Sequence, residues 1–218
     1  MCLIISHFDL NTREIIVNEL TVLKRKSIYA KIAGYVLERK EICVKHLFYP
    51  DHYVASAYEI PYSALYAAGK RALIFDIDNT LVEHGAPADE RAIALMEQLR
   101  ESGFSVCFLS NNKEPRVRLF NEPIQAQYVF RAKKPSRAGY EAAMARMGST
   151  RETTVFIGDQ IFTDIWGANR CGLETFLTKP ISRREEPQIV LKRLLEKPVL
   201  FCYRGWRKKQ GRSELKQK

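Results

Sequence analysis

Between Arg71 and Thr178, short apolar segments alternate with helical ones, and four of the apolar segments run directly into polar clusters. Arg71–Phe75 is an apolar run that ends in acidic residues, the pattern of a strand buried on both faces of a parallel sheet. Ala88–Glu101 sets Ile93, Leu95, Met96 and Leu99 at helical spacing and meets Gly103, a residue suited to closing a helix. The alternation continues with a strand at Ser105–Leu109, a helix at Pro115–Phe120 and a short strand at Tyr128–Phe130. A helix at Pro135–Met147, a β-branched strand at Thr153–Ile157, a helix at Ile161–Arg170 and a last strand at Glu174–Leu177 complete it. Five short strands separated by helices predict an α/β fold, with a parallel sheet of about five strands between two helical layers.

In such a sheet, ligands bind at the carboxyl ends of the strands. Asp76-Ile77-Asp78-Asn79-Thr80, Ser110-Asn111-Asn112, Lys133-Lys134-Pro135 and Gly158-Asp159-Gln160 all fall there. Any one of them alone reads as a turn; four on one edge are hard to assign to packing. Asp76 and Asp78 stand two residues apart where the strand gives way to its loop, which puts two carboxylates on nearby backbone. One carboxylate is then free to attack phosphorus and form an aspartyl-phosphate while the other handles a proton. Converging carboxylates repel one another and an anionic substrate unless a cation lies among them. Mg²⁺ suits this role because it takes carboxylate and phosphate oxygens, with Asp76 and Asp78 among its expected ligands and Asp159 and Asp164 completing its site. Ser110 and Asn111 offer neutral donors for phosphoryl oxygens, and Lys134 offers a fixed cation.

Composition narrows the alternatives. Apolar residues make up 46% of 218, enough for a buried core, and no apolar run approaches the length of a spanning helix. The opening residues lack the basic flank and cleavage site of a signal peptide, which predicts a cytoplasmic protein. Five scattered cysteines without C-x-x-C spacing predict free thiols, and four dispersed histidines predict no zinc cluster. The net charge of +10 is uneven: +2 over residues 1–43, −1 over 44–178 and +9 over 179–218.

The four clusters, with Thr163 and Asp164 following Gly158-Asp159-Gln160, resemble the motifs of the haloacid dehalogenase (HAD) superfamily over roughly residues 71–178. The resemblance implies a Rossmann-like fold with Asp76 as nucleophile and Asp78 as general acid/base. It implies Ser110 and Lys134 on the phosphoryl group, Asp159 as acidic metal ligand and Asp164 in the outer part of that site. Dehalogenase members lack the second Asp, so Asp78 points to phosphatase chemistry. The lead-in Tyr49-Pro50-Asp51-His52-Tyr53-Val54, with Asp-Asn-Thr-Leu-Val at 78–82, is similar to the YqeG-type group of subfamily IIIA. Relatives of that group include phosphatidylglycerophosphate phosphatases.

Thr80 and Ser110 are separated by 29 residues and Asn112 and Lys133 by 20, which leaves no room for a large cap domain. An open site suits a large substrate. Beyond it, Ile189, Leu191, Leu194 and Leu195 lie among Lys192, Arg193 and Lys197, ahead of Val199–Lys209 with its aromatic and basic residues. This stretch reads as a terminal element packed on the domain, as a surface that docks on anionic phospholipid, or as a nucleic-acid contact. The expected organisation is a helical extension over 1–43, a phosphatase domain over 44–200 and a basic tail over 201–218. The expected function is Mg²⁺-dependent hydrolysis of phosphatidylglycerophosphate, peripheral to the inner face of a membrane. The alternatives are a soluble, protein or nucleic-acid phosphate as substrate, or a non-catalytic RNA- or ribosome-associated module.

Overall fold

The computed structural model describes residues 45–182 and 187–209; the extension expected over residues 1–43 lies outside them. In chain order the elements are α1 (Lys45–Phe48), β1 (His52–Val54), a 3-10 turn (Ala57–Glu59), α2 (Tyr62–Ala67), β2 (Ala72–Phe75), α3 (Glu90–Glu101), β3 (Ser105–Leu109) and α4 (Glu114–Asn121). They continue with β4 (Gln127–Val129), α5 (Arg137–Met147), β5 (Thr154–Gly158), a π-helical turn (Ile161–Ile165), α6 (Trp166–Arg170), β6 (Glu174–Thr178) and α7 (Pro187–Lys209). The strands form one parallel sheet in the order β1-β6-β5-β2-β3-β4.

The strand residues sort by parity onto two faces, as the pleat requires. Leu73, Phe75, Phe108, Val155 and Ile157 pack with Tyr62, Leu65, Leu95, Met96, Leu99, Val117 and Phe120, from α2, α3 and α4. Ile74, Cys107, Leu109 and Phe156 pack on the other face with Tyr140, Ala143 and Ala168, from α5 and α6. This is the three-layer fold expected. Helix α3 starts where Asp89 caps it by accepting the Ala92 N–H at 2.7 Å, and α5 stops at Gly148 with φ 61°. The connection from β2 to β3 carries one helix, as does that from β3 to β4, and neither holds a cap domain.

The sheet has one strand more than expected. Residues 52–54 are too short and too polar to stand out as a strand. Pairing with β6 and the Asp51 carboxylate make it one: Asp51 Oδ2 accepts from the Thr175 N–H at 2.9 Å and from its hydroxyl at 3.0 Å. Helix α7 runs through position 200, where the domain was expected to give way to the tail. Tyr203 is fully buried and meets Tyr49 ring to ring at 5.4 Å. Buried Glu196 accepts the Ile161 N–H at 2.7 Å. The opposite side of the helix leaves Leu194 and Phe201 exposed.

Candidate active site

Strand β2 lies inside the sheet, and Asp76 is still tied into it, donating its N–H to the Ile157 carbonyl at 2.9 Å. The chain then turns tightly: the Ile77 carbonyl accepts from the N–H groups of Thr80 and Leu81, and Asn79 takes a left-handed φ of 64°. Asn tolerates that conformation better than most residues. The turn sets the Asp76 carboxylate on the sheet edge and brings the Thr80 hydroxyl within 3.4 Å of Asp76 Oδ2 and 3.5 Å of Asp159 Oδ1.

Lys134 reaches the same point from the loop after β4. Its ammonium lies 2.5 Å from Asp76 Oδ1 and 2.7 Å from Asp164 Oδ1. The Asn111 carboxamide fixes that loop by accepting the Lys134 N–H at 2.6 Å and donating to the Lys134 carbonyl at 3.2 Å. Asn111 therefore has a second task beside the donor role expected of it. Ser110 is buried, and its hydroxyl oxygen accepts the Asn112 N–H at 3.1 Å, which leaves the hydroxyl hydrogen to donate.

Asp159 follows β5 directly, and Asp164 returns to it through the π-helical turn. Asp164 Oδ2 accepts the Gln160 N–H at 3.0 Å, and the Tyr140 hydroxyl supports the turn by donating to the Thr163 carbonyl at 2.8 Å and the Asp164 carbonyl at 3.1 Å. Asp76, Asp159 and Asp164 are all buried and offer carboxylate oxygens within 4.8 Å of one another.

Burial raises the Asp76 carboxyl well above the usual carboxylate range; Lys134 opposes this and Asp164 adds to it. Burial works against the Lys134 charge, but Asp164 and Asp76 outweigh it and hold the lysine firmly as ammonium. Three carboxylates against one ammonium leave a negative surplus in a buried cluster. That surplus and the all-oxygen donor set fit a hard divalent cation such as Mg²⁺.

Asp78 stands apart. Its Oδ1 accepts from the Gly85 N–H at 2.8 Å and pairs with Arg116 Nη2 at 2.8 Å, and its Oδ2 accepts from Asn112 Nδ2 at 2.7 Å. Its carboxylate is not among the three that converge, although the sequence reading grouped it with the metal ligands. Arg116, Asn112, Thr80 and Tyr140 complete the site without having been picked out as functional. A signal for Arg116 was present: an arginine on the first turn of a helix that begins just beyond a strand-end cluster.

The family model described as HAD-hydrolase-like matches residues 131–192. The chain is 35% identical over 158 residues to the probable phosphatase YqeG of Bacillus subtilis (strain 168), which covers 72% of this chain and 92% of that protein. It is 28% identical over 205 residues to phosphatidylglycerophosphate phosphatase 1, chloroplastic/mitochondrial, of Arabidopsis thaliana, which covers 86% of this chain. That match takes in 53% of the Arabidopsis protein, so this chain spans about half of its length. Among solved structures, the cobalt-bound deoxy-D-mannose-octulosonate 8-phosphate phosphatase of Haemophilus influenzae aligns over 52% of this chain and 80% of its own, at 16% identity and TM-score 0.43. On the YqeG match, and with the parallel sheet and its strand-end motifs in place, the chain belongs to the HAD superfamily as a phosphatase of the YqeG type.

Proposed function

We propose that the chain hydrolyses phosphomonoesters through a phosphoryl group carried on Asp76, and that its substrate is phosphatidylglycerophosphate. The observation that carries the chemistry is the buried Asp76 carboxylate on strand β2, paired with Lys134 and flanked by Asp159 and Asp164. An Asp76 oxygen attacks phosphorus, the bond to the leaving oxygen breaks, and that oxygen takes a proton from Asp78. Water then attacks the phosphoryl group and gives a proton to Asp78. The bond to Asp76 breaks, releasing inorganic phosphate and restoring the carboxylate. Lys134 holds Asp76 in line and balances charge on the phosphoryl oxygens, which the Ser110 hydroxyl also meets. Asp76, Asp159 and Asp164 would hold Mg²⁺, which supplies neutralisation of the anionic phosphoryl group.

Three observations support the lipid. The Arabidopsis relative carries that activity in its name. The connections around the site hold no cap domain, which leaves room for a head group presented by a bilayer. Helix α7 turns an outward stripe of Leu194, Lys197, Phe201, Arg204 and Lys208 away from the buried Glu196, Tyr203 and Arg207. Among the described residues no helix is long and apolar enough to cross a membrane, so contact would be peripheral. The free thiols of Cys107, Cys171 and Cys202 suit the cytoplasmic side.

The test is phosphate release from phosphatidylglycerophosphate in detergent micelles, with and without Mg²⁺, beside a panel of soluble sugar and nucleotide phosphates. Metal-dependent release that disappears in Asp76→Asn is expected. Inertness toward the lipid with brisk turnover of soluble esters would remove the lipid from the reading.

A further inference from the structure

Three cations stand on the loops that carry the site without a carboxylate to meet them. Lys113 follows the Ser110-Asn111-Asn112 segment, and Arg131 and Lys133 lie on the loop that delivers Lys134. All three are exposed, and none makes an ion pair with a described residue. The carboxylate next to Lys113 in the chain, Glu114, accepts from the Tyr128 hydroxyl at 3.2 Å instead. The opposite edge of the sheet, where the parallel strands begin, is built differently. There Lys70 and His52 meet Glu174 at 2.8 Å and 2.9 Å, and Arg151 meets Glu152 at 2.6 Å. Like charges gathered on one rim repel each other, and an anion placed among them relieves that repulsion.

The backbone keeps these cations together. The Arg131 N–H donates to the Asn112 carbonyl at 2.9 Å and the Ala132 N–H to the Ser110 carbonyl at 3.0 Å, which laces one loop to the other. The Ser136 N–H then closes a turn on the Lys133 carbonyl at 2.8 Å. Arg131 and Lys133 take left-handed φ values of 45° and 53°, while the alternate residues Ala132 and Lys134 are buried. Residues other than glycine rarely adopt that region, and two of them in one loop mark a backbone held against its preference. The result is a division of labour. Lys134 turns inward to Asp76 and Asp164, and Arg131 and Lys133 stay on the surface beside it. The reacting phosphoryl group already has Lys134 and the Ser110 hydroxyl, so the outer cations suit a charge further along the substrate.

We propose that Lys113, Arg131 and Lys133 form an anion subsite that reads a second phosphate or phosphodiester on the leaving side of the substrate. The inference rests on the phosphatase reading above and names its substrate class: phosphomonoesters whose leaving group carries a further phosphoryl anion. Phosphatidylglycerophosphate belongs to that class through its phosphodiester, and so do soluble compounds with the same head group. The Arg131 guanidinium offers a planar fork that matches two phosphate oxygens, and the two lysines add point charges. The subsite lies outside the reacting cluster, so it holds substrate and transition state alike. Contacts of that kind lower KM and leave kcat to the groups around Asp76.

The experiment compares phosphatidylglycerophosphate in micelles of an uncharged detergent, its deacylated head group, and glycerol 3-phosphate, which lacks the second anion. Each is assayed with the wild type, with the triple variant Lys113→Gln, Arg131→Asn, Lys133→Asn, and with the charge-retaining exchange Arg131→Lys, Lys133→Arg. Circular dichroism and thermal melting first show each variant folded; Asn is used at 131 and 133 because it tolerates the left-handed backbone there. The wild type is expected to favour the head group over glycerol 3-phosphate by at least about tenfold in kcat/KM, since each exposed cation contributes about a few-fold. The triple variant is expected to bring that ratio to within about threefold of unity, with the change in KM, and the exchange to keep most of it. Raising the ionic strength about tenfold should erode the ratio in the wild type and not in the triple variant. Calorimetric titration of the head group and of glycerol 3-phosphate into Asp76→Asn protein, with and without the triple substitution, reads the same preference as affinity without turnover. An equal loss on the head group and glycerol 3-phosphate would mean that the rim attracts any phosphate, and would overturn the proposal. So would a wild type without preference, or equal affinities in the titration. If the head group shows the rim-dependent preference while the intact lipid is inert, the subsite stands and the lipid reading falls. If the preference appears in the titration while no ester is hydrolysed, the subsite stands and the phosphatase reading falls.

Discussion

Gly158 and Asp164 are packed so closely that a Cβ at position 158 would lie 2.7 Å from Asp164 Oδ2 and 2.8 Å from its Cβ and Cγ. Strand β5 thus ends in glycine because the Asp164 side chain occupies the space a side chain would need. Gly158→Ala should push Asp164 off its contacts with Lys134 and the Gln160 N–H. We expect a loss of about 1–3 kcal/mol in stability from overpacking and at least about 100-fold in turnover from the displaced carboxylate. Thermal melting and Mg²⁺ titration by calorimetry check both. Unchanged Mg²⁺ affinity would remove Asp164 from the metal site.

Asp76 gives the metal-free protein a specific pH response. Its carboxyl is raised by burial, so the folded state keeps a proton that the unfolded chain gives up near about pH 4. Stability without metal should therefore fall as pH rises from about 4 toward neutrality. Asp76→Asn should flatten that fall and abolish turnover by about 10⁴-fold or more. Mg²⁺ should reverse the sign for the wild type, because the ion favours the ionised cluster. At a hundredfold excess over its Kd it would add about 2.7 kcal/mol. Melting curves over pH with and without Mg²⁺ separate these outcomes; an identical pH slope in Asp76→Asn would sink the assignment.

The parts of this fold written in local pattern were legible. Apolar runs such as Leu73–Phe75 and the helical spacing of Ile93–Leu99 need no distant partner to be read, and the strand-end clusters followed from them. Strand β1 was not legible, because His52 and Tyr53 become a strand only through β6 and the Asp51–Thr175 contacts, about 120 residues on. The π-helical turn was read as ordinary helix, since its extra residue serves Asp164 and the Tyr140 hydroxyl and leaves no periodic trace. The placing of Asp78 beside Asp76 was legible, whereas its engagement with Arg116 and Asn112 was not, because that depends on where α4 starts.

The Glu174 carboxylate anchors the edge that the sequence concealed. It pairs with His52 Nε2 at 2.9 Å and Lys70 Nζ at 2.8 Å, while the His52 ring stacks on Phe176 at 4.2 Å. The His52 hydrogen bond, helped by Lys70 and opposed by burial, lowers its pKa to about 2. A depressed acid contributes stability that is fully present above its unfolded value of 4.5 and is lost as pH falls toward 2. Glu174→Gln should therefore be less stable than the wild type at neutral pH and converge with it only as pH falls to about 2. Curves that stay parallel through that window would show that the pair does not tie β1 to the sheet.

The outward stripe of α7 has a geometry that can be tested without the lipid substrate. Leu194, Lys197, Phe201, Arg204 and Lys208 follow one another at steps of three and four, so they share one helical face, and all are exposed. Phe201, 79% exposed, is far more open than a ring that size needs to be, and no carboxylate lies in the stripe. Each cation near an anionic surface contributes about 1 kcal/mol, and the ring adds apolar burial at the headgroup boundary. The protein should therefore co-sediment with vesicles rich in phosphatidylglycerol and not with phosphatidylcholine alone, and salt should weaken it. Phe201→Glu should lower that binding by about tenfold or more while leaving turnover of a soluble phosphate ester as in the wild type, because the ring points away from the face that carries Glu196 and Tyr203. Full vesicle binding by Phe201→Glu would assign the stripe to ordinary solvated surface and leave the lipid to find the site by diffusion alone.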